Sequence, residues 1–368
     1  MNHLADILVI GAGIAGASVA DALATSSRVI VLEQEERPGL HSTGRSAALF
    51  SETYGNEVIR ALSRASRAFL ADPPHGFCET PLIRPRGTLY LASEDQLDRL
   101  RALEASTAAF ETLSGAEVRA RVPILRPEAS AAALYEPGAM DIDVDALHQG
   151  FLRRLRRAGG QIVADARVTS LRRAAGGWTA TTAPGEFSAP IVINAAGAWA
   201  DQVASLAGLA PLGLQPKRRT AALIDGPADL DFAGWPLVID VAETVYFKPD
   251  AGRLLISPAD ETDTGPGDAQ PDDLDIAIAA DRIEHMTTLT IRRIAHRWAG
   301  LRTFAPDRTP VCGFDPRCQG FFWLAGQGGY GIQTAPALAG LAARLVSGEP
   351  GDLKALADAL APDRYARA

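Results

Sequence analysis

The chain has 368 residues, 47% of them hydrophobic and 22% charged, which is typical of a globular protein with a sizeable core. This length favours two domains. A formal net charge of −8 argues against nucleic acid as the main partner, because nucleic-acid-binding proteins usually present a basic face. No apolar run reaches the roughly 20 residues that span a bilayer, and the N-terminus lacks the basic start of a signal peptide. We therefore expect a cytoplasmic protein, with a peripheral membrane contact left open.

The cysteines and histidines form no metal-binding pattern. Cys78, Cys312 and Cys318 are odd in number and include no CxxC pair, which argues against a disulfide framework or a zinc site. The six histidines lack metal-ligand spacing. We expect reduced thiols and no bound metal.

The chain opens with a nucleotide-binding pattern. Residues 6–10 predict a buried parallel strand, the glycine turn GAGIAG follows, and an Ala-rich helix runs to about Thr25. A second buried strand over residues 28–32 leads into an acid, Glu33. In this order the glycines permit a tight turn, close approach of a pyrophosphate and close packing of helix on strand, while the acid accepts from a ribose. The expected contacts are Gly11, Gly13, Ile14, Ala15, Gly16, Glu33 and Gln34. The pattern alone does not choose between NAD and FAD.

Three later segments fit an extended cofactor with a flat ring. Residues 37–48 combine a turn with hydroxyls, an arginine and small side chains, residues 191–199 form a strand ending in small residues, and residues 321–334 repeat strand, glycine turn and helix. These segments resemble the amino-acid-oxidising flavoproteins related to D-amino acid oxidase, glycine oxidase and sarcosine oxidase. The resemblance implies FAD contacts at Ser42, Thr43, Arg45, Ser46, Ala47, Ala48, Val168, Ala195, Gly197, Trp199, Gly300, Arg302, Gly328, Gly329, Tyr330, Gly331, Ile332, Gln333 and Thr334. An irregular polar loop is the plainer interpretation of residues 37–48.

Within that family the chain most resembles bacterial FAD-dependent D-arginine dehydrogenases, over nearly its whole length. The matching stretches are HSTGRSAA (41–48), SRAF (66–69), GFCE (76–79), DALHQG (145–150), LGLQPKRR (212–219), KPDAG (248–252), TTLTIRR (287–293), WAGLR (298–302) and QGGYGIQT (327–334).

The expected fold is an α/β Rossmann-like FAD-binding domain interleaved with a substrate domain, α+β overall. We assign residues 1–49, 142–215 and 297–368 to the first and residues 50–141 and 216–296 to the second. Strands over residues 88–92, 220–224, 237–240, 244–248 and 254–257 predict a mainly antiparallel sheet for the substrate domain. Residues 260–275 carry seven acids and read as a solvated loop, with a lid as the alternative.

The resemblance also implies where an amino acid binds. Arg302 corresponds to the family's carboxylate-binding arginine, and Arg219 to a second arginine at the same end of the substrate. Tyr54 and Tyr246 correspond to phenols that reach the carboxylate, and the Gly329 carbonyl to an acceptor for the amine. The plainer alternatives are ion-paired surface arginines and tyrosines packed for area alone.

Two departures alter the expected substrate. The arginine-oxidising relatives have a carboxylate where this chain has Thr88 and a histidine where it has Leu49. An apolar side-chain pocket is expected from Leu49, Phe50, Leu237 and Ile239, with Thr88 also placed at the substrate side chain. Because a guanidinium there loses a charged partner, we expect neutral or hydrophobic D-amino acids to be preferred over D-arginine. Gly300 stands about where sarcosine oxidases carry a flavin-attaching cysteine, so non-covalent FAD is expected.

The expected reaction is hydride transfer from the substrate α-carbon to flavin N5, giving an imino acid that hydrolyses to a 2-oxo acid and ammonia. The D configuration follows from the resemblance alone. The electron acceptor, quinone or oxygen, is left open. The alternatives are a glycine- or sarcosine-type secondary amine or opine oxidoreductase, an NAD-dependent dehydrogenase, and an FAD-holding subunit without turnover.

Overall fold

The computed structural model describes residues 2–174, 176–349 and 351–365, so the outermost residues of the predicted domain ranges lie outside the described part. The first strands are β1 (Asn2–Leu4), β2 (Ile7–Ile10), β3 (Val29–Leu32), β4 (Leu49–Phe50), β5 (Ile83–Pro85), β6 (Thr88–Ala92), β7 (Glu111–Ser114), β8 (Ala132–Glu136), β9 (Met140–Ile142), β10 (Gln161–Val163) and β11 (Ser170–Ala174). The later strands are β12 (Gly177–Thr182), β13 (Gly185–Ala189), β14 (Ile191–Asn194), β15 (Gln215–Ile224), β16 (Leu237–Asp240), β17 (Tyr246–Asp250), β18 (Arg253–Ser257), β19 (Thr262–Asp263), β20 (Ile294–Phe304), β21 (Val311–Phe314) and β22 (Phe321–Ala325). The helices are α1 (Ile14–Leu23), α2 (Glu57–Ala71), α3 (Leu97–Glu104), α4 (Gly115–Arg121), α5 (Val144–Arg157), α6 (Ala200–Leu206), α7 (Asp273–Met286), α8 (Gly331–Val346) and α9 (Lys354–Leu360).

A six-stranded sheet in the order β10-β3-β2-β14-β22-β21 forms the centre of the cofactor-side layer. It is parallel up to β22, and β21 joins antiparallel. Both faces are buried. Ile7 and Val9 pack with side chains of α1 and α8, whereas Leu8 and Ile10 pack with those of β12, β13 and α6. Burial on two sides explains why these strands are continuous apolar runs.

The second large sheet has nine strands, β19-β15-β18-β17-β16-β6-β8-β7 with β20 on β15. Its pairs are antiparallel except β16 with β6, as the sequence predicted. One face packs on α4 and α7 through an apolar cluster that includes Phe247, Ile256 and Ile283. The small sheet β4-β9-β5 completes the described sheets together with the four-stranded β1-β13-β12-β11. The α/β fold with an interleaved, mainly antiparallel second layer is thereby confirmed.

Two predicted ranges do not coincide with the elements of the structure. Strand β20 pairs with β15 from Ile294 to Phe304, so the predicted division at residue 297 cuts through one strand of the nine-stranded sheet. Residues 260–275 are only partly loop, because β19 pairs with β15 and α7 begins at Asp273. In both cases the strand that pairs there is β15, which is distant in the chain, and local composition does not reveal it.

Candidate active site

A cavity of about 600 Å³ is lined by residues from both large sheets. One part of its wall comes from the carboxyl end of β2, the start of α1 and the end of β3, and ligands of open α/β sheets bind in the crevice at the carboxyl ends of the strands. Another part comes from β15, β17 and β20 of the nine-stranded sheet. Its volume lies within the usual range of small-molecule sites, roughly 300–1,000 Å³. The topology therefore places a nucleotide-type crevice and an arginine-lined chamber in one continuous space.

The glycine turn after β2 leaves no room for side chains. Gly11 has φ +99°, and a Cβ there would lie 2.5 Å from the Ala195 carbonyl oxygen. A Cβ on Gly16 would overlap the Gly11 carbonyl, so α1 packs directly on the turn. The Ile14 N–H at the start of α1 donates to Thr43 Oγ1 at 2.9 Å. Close backbone approach at a helix N-terminus is the geometry that admits a pyrophosphate.

Glu33 lies at the end of β3 and is buried on the cavity wall. Its carboxylate accepts from the Ala12 N–H at 2.7 Å and the Glu35 N–H at 3.1 Å. Burial raises its pKa, and these N–H donors act in the opposite direction. The carboxylate is thus fixed beside the glycine turn, where a ribose hydroxyl of a dinucleotide would reach it.

The segment after β3 is tied to strand β20. Ser42 Oγ donates to the Leu301 carbonyl at 2.7 Å, and Trp298 Nε1 donates to the Arg45 carbonyl at 3.0 Å. The Arg45 guanidinium donates to the carbonyls of Ala269 at 2.9 Å and Ala299 at 3.0 Å. Arg45 therefore holds the wall together, and its charge is directed at protein groups.

Arg302 projects from β20 and is the centre of the chamber. Its guanidinium lies against Gly329, where a Cβ would come 3.0 Å from Nη1. Burial lowers its pKa, but Tyr54 and Tyr246 more than offset burial, and the pKa lies above its usual value. The Tyr54 phenol is close enough to the guanidinium to contribute to this raised pKa. A fixed, fully charged fork beside two phenols is suited to bidentate binding of a carboxylate.

Arg219, on neighbouring β15, adds a second cation to the same chamber. Its Nε donates to the Asp260 carbonyl at 2.7 Å, and Nη2 lies 3.5 Å from Glu261 Oε1. Burial, followed by repulsion from Arg302, lowers its pKa. Two mutually repelling guanidinium groups on one wall favour an anion between them.

Most predicted residues lie on the cavity wall. The predicted residues on the wall are Gly11, Gly13, Ile14, Ala15, Glu33, Gln34, Ser42, Thr43, Arg45, Ser46, Ala47, Val168, Ala195, Gly197, Trp199, Arg219, Tyr246, Gly300, Arg302, Gly328, Gly329, Gly331 and Ile332.

Other predicted cofactor contacts serve the protein interior. Gly16 packs on the turn, and Ala48 packs against a neighbouring apolar cluster. Gln333 bonds Ser51 and Ser63, and Thr334 Oγ1 donates to the Tyr330 carbonyl at 2.9 Å. The ring of Tyr330 lies 4.9 Å from that of Tyr54. These side chains shape the wall from behind.

The predicted substrate-side residues also lie behind the wall. Leu49, Leu237 and Ile239 pack around Tyr246 in one apolar cluster. Phe50 is fully buried in the core with Ile14 and Ile332, so its ring is not placed on the wall. Thr88 is 1% exposed, and its hydroxyl has no partner within the described residues. Strands β4 and β6 bring these positions close to the chamber without opening them to it.

Sequence reasoning missed several wall residues, among them two with side-chain polar groups that matter to the site, Gln327 and Trp298. Gln327 lies on the wall, and its buried amide nitrogen has no partner among the described residues. Trp298 lies on the wall and bonds Arg45. Both stand inside stretches that were noticed as motifs, QGGYGIQT and WAGLR. A signal was present, but only the fold shows that these side chains point to the cavity.

The residues on the wall fit FAD. The glycine turn provides close backbone approach, Glu33 provides an acceptor, and the Gln327 amide provides a donor without a protein partner. When bound, FAD supplies the electron-accepting group that no amino-acid side chain provides. Among the described residues, no group of His, Cys, Asp and Glu is arranged to hold a metal ion. No helix in the described part is long and apolar enough to cross a membrane.

The chain belongs to the FAD dependent oxidoreductase family, DAO, which matches residues 6–345. Two relatives span nearly the same length. The uncharacterized oxidoreductase YurR of Bacillus subtilis (strain 168) is 27% identical, over 94% of this chain and 96% of its own. Glycine oxidase of Geobacillus kaustophilus (strain HTA426) is 24% identical over 94% of both chains.

Solved structures share the fold. The crystal structure of glycine oxidase from Geobacillus kaustophilus has a TM-score of 0.83 at 24% identity, covering 95% of this chain and 96% of that one. L-alpha-glycerophosphate oxidase from Mycoplasma pneumoniae, with FAD bound, has a TM-score of 0.85 at 19% identity, covering 94% and 95%. The chain is an FAD-dependent oxidoreductase.

Proposed function

We propose that this flavoenzyme oxidatively deaminates amino acids of D configuration and prefers neutral or hydrophobic side chains. The observation that carries the proposal is the buried Arg302 guanidinium, which lies on Gly329 and within reach of Tyr54, in the same cavity as the glycine turn. An α-amino acid held there by its carboxylate has its α-carbon oriented for oxidation. The resemblance to D-arginine dehydrogenases supports an amino-acid substrate and is the source of the D configuration.

The chamber supplies orientation and charge, and the described residues on its wall place no carboxylate or histidine beside Arg302. Among the described wall residues, the carboxylate and the histidine are Glu33 and His41. Glu33 bonds the glycine turn, and His41 Nε2 lies 2.8 Å from Glu35 Oε1. Neither side chain is beside Arg302 in these contacts. A substrate whose amine binds neutral needs no protein base, and the Gly329 carbonyl is the proposed acceptor for that amine.

The wall beside Tyr246 is an apolar pocket lined by Ala47, Ala221 and Trp298, with Leu49, Leu237 and Ile239 packed behind it, and this supports the side-chain preference. A carboxylate is close, because Asp141 pairs with Leu49 in the small sheet. Asp141 is already bound by two cations, Lys248 Nζ at 2.8 Å and Arg86 Nη2 at 2.6 Å. A substrate guanidinium would therefore lose its hydration without gaining a free carboxylate, which is costly in a buried site.

Glycine or a secondary amine such as sarcosine or proline is the second candidate, supported by the glycine oxidase relative over 94% of the chain. Glycine, sarcosine and proline share the carboxylate and amine of an amino acid, and the arginine chamber accommodates them equally. Side-chain size distinguishes the two candidates, since the apolar pocket offers nothing to glycine or sarcosine.

The test is anaerobic mixing of the FAD-loaded protein with D- and L-amino acids and with glycine, sarcosine and proline, while flavin absorbance is followed. We expect bleaching by D-leucine and D-methionine with a higher kcat/KM than for D-arginine. Faster bleaching by D-arginine would contradict the pocket assignment, and bleaching by secondary amines alone would favour the second candidate. Air is then readmitted to the reduced protein. Rapid reoxidation of the flavin indicates oxygen as the electron acceptor, and slow reoxidation favours a quinone.

A further inference from the structure

A buried carboxylate outside the cavity wall organises the segment that precedes Tyr54. Glu136, the last residue of β8, is 3% exposed. Its carboxylate accepts from Ser51 Oγ at 2.9 Å and from Thr53 Oγ1 at 2.8 Å. The backbone N–H groups of Glu52 and Thr53 also interact with it. Residues 51–53 are therefore folded around one carboxylate.

No cation neutralises this group. Among the described residues, none of the ion pairs involves Glu136, and hydroxyl and backbone donors are its partners. Burial raises its pKa, and the Thr53 and Ser51 hydroxyls act in the opposite direction. A buried carboxylate without a counter-ion is costly. Its hydrogen bonds to residues 51–53 offset part of that cost, and they couple β8 to the loop.

Residues 51–53 are held on their other side by α8, which belongs to the cofactor-side layer. Gln333 of α8 accepts from the Ser51 N–H at 3.1 Å and donates to the Ser51 carbonyl at 3.2 Å. Beyond Tyr54, Gly55 has φ +88° and Asn56 caps α2 by accepting from Ile59 N–H at 3.1 Å. Tyr54 is thus the single residue between two anchored segments.

We propose that Glu136 is a positioning residue for the carboxylate clamp, holding residues 51–53 so that the Tyr54 phenol meets Arg302. The inference rests on the proposed function only in taking Tyr54 and Arg302 as the groups that bind a carboxylate. Tyr54 is then held in one position and does not open freely as a gate. Loss of the Glu136 acceptor displaces the phenol, although Glu136 itself touches neither ligand nor cofactor.

The probe is benzoate, a simple carboxylate whose binding is followed by the change it causes in the flavin spectrum without turnover. Glu136→Leu removes the acceptors at similar volume, Glu136→Gln keeps one acceptor, and Tyr54→Phe removes the phenol. We expect the Kd for benzoate to rise about 10-fold in Glu136→Leu and in Tyr54→Phe, the size of one lost hydrogen bond to a charged group, and much less in Glu136→Gln. The double variant should be little weaker than either single variant, because coupled residues are non-additive.

The control is Thr287→Val, which removes a buried hydroxyl that donates to the Ile283 carbonyl in α7. It should lower Tm without changing the Kd for benzoate. If Glu136→Leu fails to fold, Thr53→Val removes one donor to the same carboxylate and is expected to weaken benzoate in the same non-additive way with Tyr54→Phe.

The outcomes separate this inference from the proposed function. A Glu136→Leu protein with lowered Tm and unchanged Kd, or fully additive effects with Tyr54→Phe, overturns the positioning role while substrate bleaching stands. Non-additive effects on benzoate with no bleaching by any amine support the positioning role and reject the proposed reaction. If benzoate causes no change in the flavin spectrum of the parent protein, both the positioning role of Glu136 and the proposed function are overturned.

Discussion

At the scale of single residues, the defining feature of the chamber is the positive charge of Arg302, which is available to a bound ligand. Arg219 is partly compensated by Glu261 and the Asp260 carbonyl, whereas Arg302 faces phenols and the backbone of Gly329. A guanidinium is stabilised less by neutral partners than by a carboxylate partner. Arg302 is therefore the group whose charge a substrate carboxylate can satisfy.

Replacement of Arg302 tests whether its charge binds the substrate carboxylate. Arg302→Ala should raise the KM for D-leucine about 10- to 100-fold, the cost of about 1.5–3 kcal/mol for a lost charged hydrogen bond, while FAD stays bound. Steady-state kinetics and the flavin content of the purified protein give both quantities. The matched control is Arg297→Ala on the same strand, because that side chain is exposed and pairs with Asp273. An unchanged KM in Arg302→Ala would remove the carboxylate-clamp assignment.

At the scale of elements, the turn between β2 and α1 is the proposed binding site of the cofactor's phosphates. Gly11 combines φ +99° with a site where a Cβ meets the Ala195 carbonyl, so a side chain is excluded by conformation and by space. Gly340, on α8, has nothing within 4 Å of an added Cβ and lies in a regular helix.

This contrast predicts opposite results for the same chemical change. Gly11→Ala should abolish retention of FAD, since strain and overlap distort the crevice, and should lower Tm. Gly340→Ala should retain full flavin content and gain about 0.5–1 kcal/mol of stability, as expected for alanine in a helix. Flavin absorbance per protein and thermal unfolding measure both. Full flavin loading of Gly11→Ala would show that the turn is not the phosphate site.

Much of the fold was predictable because it depends on residues that are close together in the sequence. The runs at residues 7–10 and 191–194 are apolar on both faces of the sheet, and Glu33 stands at the predicted end of β3. The position of Tyr54 was not predictable from residues 51–56, because it depends on Glu136 from β8 and Gln333 from α8. Thr88 was expected beside the substrate, but its strand pairing buries it behind the wall. Contacts across distant strands decide these details.

At the scale of the whole molecule, buried carboxylates give stability a recognisable pH dependence. Burial raises the pKa of Asp21 on α1 to about 6, and Arg154 only partly offsets that effect. The folded protein therefore keeps a proton between pH about 4 and 6 that the unfolded chain releases. Folding loses stability as the pH rises through this window, and the penalty is complete above it.

Asp21→Asn removes the ionisation and its penalty. The difference in unfolding free energy, variant minus parent, should increase by on the order of 2 kcal/mol between pH 4 and pH 7. Urea unfolding of the FAD-loaded proteins at several pH values measures it. Asp6→Asn is the control of opposite sign, because the hydrogen bonds with Arg28 lower the pKa of Asp6. A pH-independent difference for Asp21→Asn would contradict the assignment of burial as the dominant cause.

Arg302 and its neighbours are proposed to select an amino acid by its carboxylate, in front of bound FAD. The most direct measurement is anaerobic flavin reduction by D-leucine and by D-leucinamide, which keeps the amine and side chain and lacks the charged carboxylate. We predict that D-leucine reduces the flavin with kcat/KM at least about 100-fold above that of the amide, the loss of two charged hydrogen bonds. We also predict that Arg302→Ala removes most of this preference. Equal reduction by both compounds in the parent protein would contradict the clamp and with it the assignment of amino acids as the substrate class.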